Sequence, residues 1–289
     1  MKFSLKTITA AVALATVAAG ANATMSTAGT AKDGSLVMFA YSASSGYVTG
    51  MFDLGLTIDQ VIPAAGSINS AFTTGGAGAE IVWNLKGNTV TGSLGSTLGI
   101  TGNWGTQYND WMADLNGATD IRYAVFAASK ESAADVRALS TTNELAKVAT
   151  QGKSNLAAFS TVFDNFIAPH NLIGSNATDA NGGSSSLDSS FSSAKANTTF
   201  GSGMNWGTKA SFNATADAGT ALSFFYLDTN KAGTVARNIQ FADTTFNFNA
   251  ATGTLSYDVA AAVPEPESYA MFLAGLGLLG AVARRRRAK

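Results

Sequence analysis

Thr245-Phe246-Asn247-Phe248-Asn249-Ala250-Ala251-Thr252-Gly253-Thr254-Leu255-Ser256-Tyr257-Asp258-Val259 is the stretch that sets the fold class. Phe246 and Phe248 alternate with Thr245, Asn247 and Asn249; after the turn from Ala250 to Gly253 the alternation resumes at Leu255, Tyr257 and Val259. A period of two puts apolar side chains on one side of a ribbon and polar ones on the other, so the segment predicts an antiparallel hairpin with one buried and one wet face. Four more stretches have strand length and composition: Gly34 to Tyr41, Ala79 to Leu85 followed by a turn and Thr89-Val90-Thr91, Ile121 to Ala127, and Leu222 to Leu227.

The middle of the chain breaks this pattern. Leu156, Phe159, Phe163, Phe166 and Ile167 fall on one helical face, with Ser154 as N-cap and Pro169 as stop, and Val136, Leu139, Leu145 and Val148 extend a less regular stripe upstream. Gly182 to Ser193, rich in Gly and Ser, reads as a loop or mobile linker. Strands do not alternate with helices, which excludes a parallel α/β sheet. The expected fold is mainly β, a sandwich or jelly-roll-like body over residues 24–263 with a helical insertion at about 132–168.

The two ends have a different character. Lys2 and Lys6, the apolar run Ile8 to Ala19 and Ala21-Asn22-Ala23 form the three parts of a secretory signal peptide, residues 1–23, cleaved after Ala23. Its apolar run is shorter than the about 20 residues a membrane span needs. At the other end, Pro264-Glu265-Pro266 precedes an apolar helix at about 268–283 and the cluster Arg284, Arg285, Arg286, Arg287, with Lys289 beyond. Prolines set an extended spacer, the apolar run calls for lipid, and the cations stay on the cytoplasmic side. Tyr269 to Ala283 rises only about 22 Å, and Gly275, Gly277 and Gly280 weaken it further, so it makes a marginal membrane anchor.

Val263-Pro264-Glu265-Pro266, the short apolar helix and the arginine cluster together resemble the PEP-CTERM sorting signal of Gram-negative bacteria. The resemblance implies that an exosortase, an integral-membrane protease-transpeptidase, recognises Pro264, Glu265 and Pro266 and releases the body toward the cell surface or an extracellular polysaccharide matrix. Met51 to Gly55, Phe224 to Leu227 and Gly253 to Tyr257 also resemble the bodies of PEP-CTERM precursors, which carry no transferable site. The implied partners are signal peptidase and the secretion machinery, the inner membrane in passing, the exosortase and exopolysaccharide.

Between these ends, 17 acidic and 11 basic side chains leave the body at a net −6, although the whole chain stands at −1. That balance disfavours a nucleic-acid partner. With no cysteine, the exported body has no disulfide and depends on its core. One histidine, His170, excludes His-pair metal sites, and no metal or cofactor is expected. His170 reads as a structural or solvent-facing residue near a helix end. Gly152-Lys153-Ser154 lacks the first glycine of a phosphate loop, since Lys147 stands there, and Asp179-Ala180-Asn181-Gly182-Gly183 departs from the calcium-loop spacing.

A tetrapeptide recurs as Asn103-Trp104-Gly105-Thr106 and Asn205-Trp206-Gly207-Thr208. Exposed, Trp104 and Trp206 would stack on sugar rings while the amides bond hydroxyls; buried, they would be packing anchors at equivalent strand ends. The expected function is an exported non-enzymatic surface or matrix protein associated with exopolysaccharide. The alternatives are a secreted polysaccharide-active enzyme with the same address and a permanently anchored periplasmic domain.

Overall fold

Eleven strands pair antiparallel into one sheet in a computed structural model that describes residues 24–31, 33–63, 66–73, 78–132, 135–201, 205–229 and 233–259. The signal peptide with Ala21 and Ala23, and the C-terminal segment with Pro264, Glu265, Pro266, the 268–283 helix and the arginine cluster, lie outside the described residues. In chain order the strands are β1 (Ser35–Ser42), β2 (Val48–Thr57), β3 (Glu80–Asn84), β4 (Thr89–Thr91), β5 (Ile121–Ser132), β6 (Asp135–Thr142), β7 (Gly183–Ser185), β8 (Ala216–Asp217), β9 (Leu222–Asp228), β10 (Arg237–Asn249) and β11 (Thr254–Val259). The helices are α1 (Ala28–Ala31), α2 (Ile58–Val61), α3 (Ser93–Leu98), α4 (Gly105–Asp114), α5 (Leu145–Val148), α6 (Lys153–His170) and α7 (Ala196–Thr199).

Across the sheet the strands run β4-β3-β11-β10-β9-β6-β5-β1-β2-β7, with β8 beside the start of β5. The sheet curls into a half-barrel. The Trp83 indole on β3 donates to the Leu54 carbonyl on β2 at 3.0 Å, although seven strand pairings separate these two strands along the sheet. Inside the curl lie Phe52, Trp83, Tyr123, Phe224, Tyr226, Phe246, Phe248 and Tyr257, together with Tyr108 and Trp111 of α4. Helix α4 fills the mouth: Trp111 packs edge-on to Phe52 at 6.0 Å, and its ring comes so close to Gly50 that a Cβ there would sit 2.7 Å from it.

The hairpin of β10 and β11 forms in the expected register, Phe246 opposite Tyr257 and Phe248 opposite Leu255. The Asn249 side chain accepts from the Ala251 and Thr252 N–H groups at 3.0 and 3.2 Å, and Gly253 closes the turn at φ 69°. The alternating pattern survives here because the outer face of β11 is only half-buried. In β1, β5 and β9 it disappears: Val37, Phe39, Phe126, Phe225 and Leu227 form a second core on the outer face, under Leu156, Phe159, Phe163, Phe166 and Ile167 of α6. Strands covered on both sides read as unbroken apolar runs.

Four expectations are corrected by this arrangement. The body is one curled sheet rather than a sandwich or jelly-roll, because the layer that faces the outer side of the sheet is the helix α6 and not a second sheet. The helical insertion is also shorter than 132–168: Asp135–Thr142 is strand β6, with Val136 in the outer core and Leu139 in the inner one. Residues 143–152 hold only the short α5, and α6 begins after Gly152 and carries Pro169 inside its last turn, so Ser154 is not its cap. The Gly/Ser segment is not a free linker either, since Gly183–Ser185 is edge strand β7 and Ser184, Ser185 and Ser186 are buried. Among the described residues no helix is long and apolar enough to cross a membrane.

Candidate functional site

The two tetrapeptides occupy unlike places. The first opens α4: Trp104 N–H and Gly105 N–H both donate to Asn88 Oδ1 at 2.6 Å, Trp104 Nε1 donates to the Asp53 carbonyl at 2.7 Å, and Asn103 Nδ2 donates to Asp179 Oδ2 at 2.6 Å. The second forms a turn on the outer face, where Trp206 lies against Phe159 with ring centroids 3.4 Å apart and meets Phe212 edge-on at 5.0 Å. Trp104 and Trp206 are both 0% exposed, so neither offers a ring face to a sugar, and the glycan contact expected of them is corrected. They are packing anchors, one per core, at a helix start and a turn rather than at equivalent strand ends.

Two buried ionisable groups, His170 and Asp53, are engaged. His170, at the end of α6, is fully buried; its Nε2–H donates to the Ala194 carbonyl at 2.9 Å, and its Nδ1 lies 2.8 Å from the Ser184 hydroxyl, which also accepts from Asn176 Nδ2 at 2.8 Å. Burial pushes its pKa down to about 4, so the ring is neutral at pH 7. Asp53 on β2 is held by Gly55 N–H at 3.0 Å and the Ser35 hydroxyl at 3.1 Å, and burial pushes its carboxyl up to about 6. The Ser35 oxygen also accepts from Ser26 N–H at 2.9 Å, which links this carboxyl to the N-terminal segment.

At one end of the inner face, Arg137, Asp228 and Arg237 stand in register on β6, β9 and β10. Arg237 Nε donates to Asp228 Oδ2 at 2.9 Å; Arg137 pairs with Asp59 at 2.7 Å and donates to the Ile62 carbonyl at 3.1 Å and to Ser129 Oγ at 3.0 Å. The row closes on itself and on the turn after α2. The loop at Asp179 to Gly183 is likewise structural: Asn181 Nδ2 donates to the Thr101 carbonyl at 2.7 Å, and Gly182 bridges to Asn103.

An open-sided groove of about 480 Å³ runs along the outward side of α6, between its last two turns and residues 191–199. Its apolar wall is Pro169, Leu172 and Phe191, of which Leu172 and Phe191 are 64% and 52% exposed. Its polar wall is Asn165, Ser193 and Thr198. Sequence reading missed it because Phe191 is a single aromatic in a serine run and its partners lie some 20 residues upstream on α6; the one signal was that lone apolar side chain among Ser189, Ser190, Ser192 and Ser193.

With the body's chemistry laid out, the comparisons locate the signal that directs it. Residues 262–287 match the PEP-CTERM protein-sorting motif. The matched span contains Pro264-Glu265-Pro266 and Arg284 to Arg287, the residues on which the resemblance was read, and it begins three positions beyond Val259, where β11 ends. The PEP-CTERM motif implies exosortase-type processing and export toward the cell surface. No curated protein and no solved structure matches the chain.

Proposed function

We propose that this chain is a non-enzymatic surface or extracellular-matrix protein that reaches its place in two steps. Signal peptide 1–23 takes it through the inner membrane and is removed after Ala23. The 268–283 helix then holds it in that membrane, with Arg284 to Arg287 on the cytoplasmic side, until an exosortase acts near Pro264-Glu265-Pro266 and hands the acidic body to the exopolysaccharide of the surface. The single observation that carries this reading is the sorting-motif match at 262–287.

The non-enzymatic part draws support from the engagement of His170 and Asp53. Both nitrogens of His170 are in hydrogen bonds, and Asp53 has donors on both oxygens. A general acid or base needs a free position within hydrogen-bond reach of a substrate. The deciding experiment is intact-mass analysis of membrane and surface fractions, with and without the host's exosortase. The expected result is a surface form beginning at Thr24 and lacking the C-terminal helix in the wild type, and full-length C-terminus accumulating in the inner membrane in the deletion strain. Unchanged release in the deletion strain sinks the sorting reading.

A further inference from the structure

The α6 groove has the chemistry of a receptor and is left open among the described residues. Its apolar lining includes the exposed side chains of Phe191 and Leu172 and the buried Pro169. The same lining holds one carboxamide, Asn165, and two hydroxyls, Ser193 and Thr198, whose side chains make no hydrogen bond to any other described residue. No lining residue carries a charge, although the body around it is acidic. The volume, about 480 Å³, falls within the range of small-ligand clefts, about 300–1,000 Å³.

These features select among ligands. An anionic polymer would meet no cation in the groove, and a cationic one no carboxylate. A purely apolar peptide or lipid chain would desolvate the amide and both hydroxyls without replacing their hydrogen bonds with water, which is costly. A pyranose ring presents the complement of both walls: a face of C–H groups suited to an aromatic ring, and a rim of hydroxyls that both donate and accept as the amide and the two hydroxyls do. The groove is open-sided, so a longer chain can pass through it.

We infer that this groove binds an uncharged sugar unit of a polysaccharide, stacked on Phe191 and hydrogen-bonded by Asn165, Ser193 and Thr198. The inference rests on the proposed matrix location and gives it a site and a ligand class. Because these side chains are on the surface, substituting them leaves both cores intact.

The test is affinity electrophoresis of the full-length chain in detergent through gels containing neutral glucan, galactomannan or xylan, with alginate as an anionic comparison. Wild type is expected to be retarded by at least one neutral polymer and not by alginate. Phe191→Ala is expected to weaken that retardation about tenfold, and Asn165→Ala by a smaller factor. Exposed Thr161→Ala, one turn away on α6, serves as the control and is expected to match wild type. Retardation that survives both Phe191→Ala and Asn165→Ala overturns the assignment, as does binding to alginate alone or to none of the polymers. Concentration-dependent self-association abolished by Phe191→Ala, without sugar binding, assigns the groove to a second copy instead. The sorting reading stands or falls separately, on the mass of the surface form.

Discussion

At the residue scale, Asp53 and His170 give the body two opposed responses to pH. The folded state holds the Asp53 proton up to about pH 6, while an unfolded chain releases it near 3.8, so this residue's contribution to stability is lost as pH rises between those values. His170 is held neutral down to about pH 4, while an unfolded chain takes up its proton near 6.5, so its contribution is lost as pH falls through that window. Each effect amounts to about 3 kcal/mol when complete. Relative to wild type, Asp53→Asn should therefore gain stability as pH rises from 4 to 6, and His170→Gln should lose it over the same interval. Urea midpoints measured at each pH decide the matter, and slopes of the same sign would count against the buried-proton account. A second prediction concerns the indole that joins the two ends of the sheet. Trp83→Phe keeps an aromatic ring but removes the indole N–H that donates to the Leu54 carbonyl at 3.0 Å and part of a fully buried side chain, and should lower stability by about 1–3 kcal/mol or more in the same assay.

Elements differ in how well the sequence announced them. The β10–β11 hairpin was legible because one of its faces is wet, and α6 was legible because Leu156, Phe159, Phe163, Phe166 and Ile167 keep their spacing on the buried side. Strand β6 was read as helix for a physical reason. Val136 and Leu139 face opposite cores, so both sides of the strand carry apolar residues and no period of two remains visible. The sequence left the burial of Trp104 and Trp206 undecided for a similar reason: their partners include Asp53, Phe159 and Phe212, and of these only Phe212 is a close neighbour of either in sequence. At this scale two tests separate the body from its tail. A chain ending at Val263 should keep the near-UV circular dichroism of the full body, whereas one ending at Asn249 removes β11 from between β3 and β10 and should lose it. Phe163→Ala, on the buried face of α6, should cost about 3–5 kcal/mol, and an unchanged midpoint would contradict the outer core as described.

For the whole molecule, the sorting motif was readable because it is one continuous stretch, and the match at 262–287 falls on the residues read as Pro264 to Arg287. The curl of the sheet was not readable, because it depends on which distant strands meet. That curl has a further consequence. Strand β11, the last before the sorting motif, does not sit at an edge of the sheet but between β3 and β10, and without it β3 and β4 have no neighbour on that side. A chain that crosses a membrane N-terminus first delivers β11 last of all eleven strands. If the body is exported in this way, the sheet would stay open until the residues adjoining the motif had themselves come through. On the proposed export route, emergence order would act as a clock: the strand that joins β3 and β4 to the rest of the sheet would come through only after the other ten.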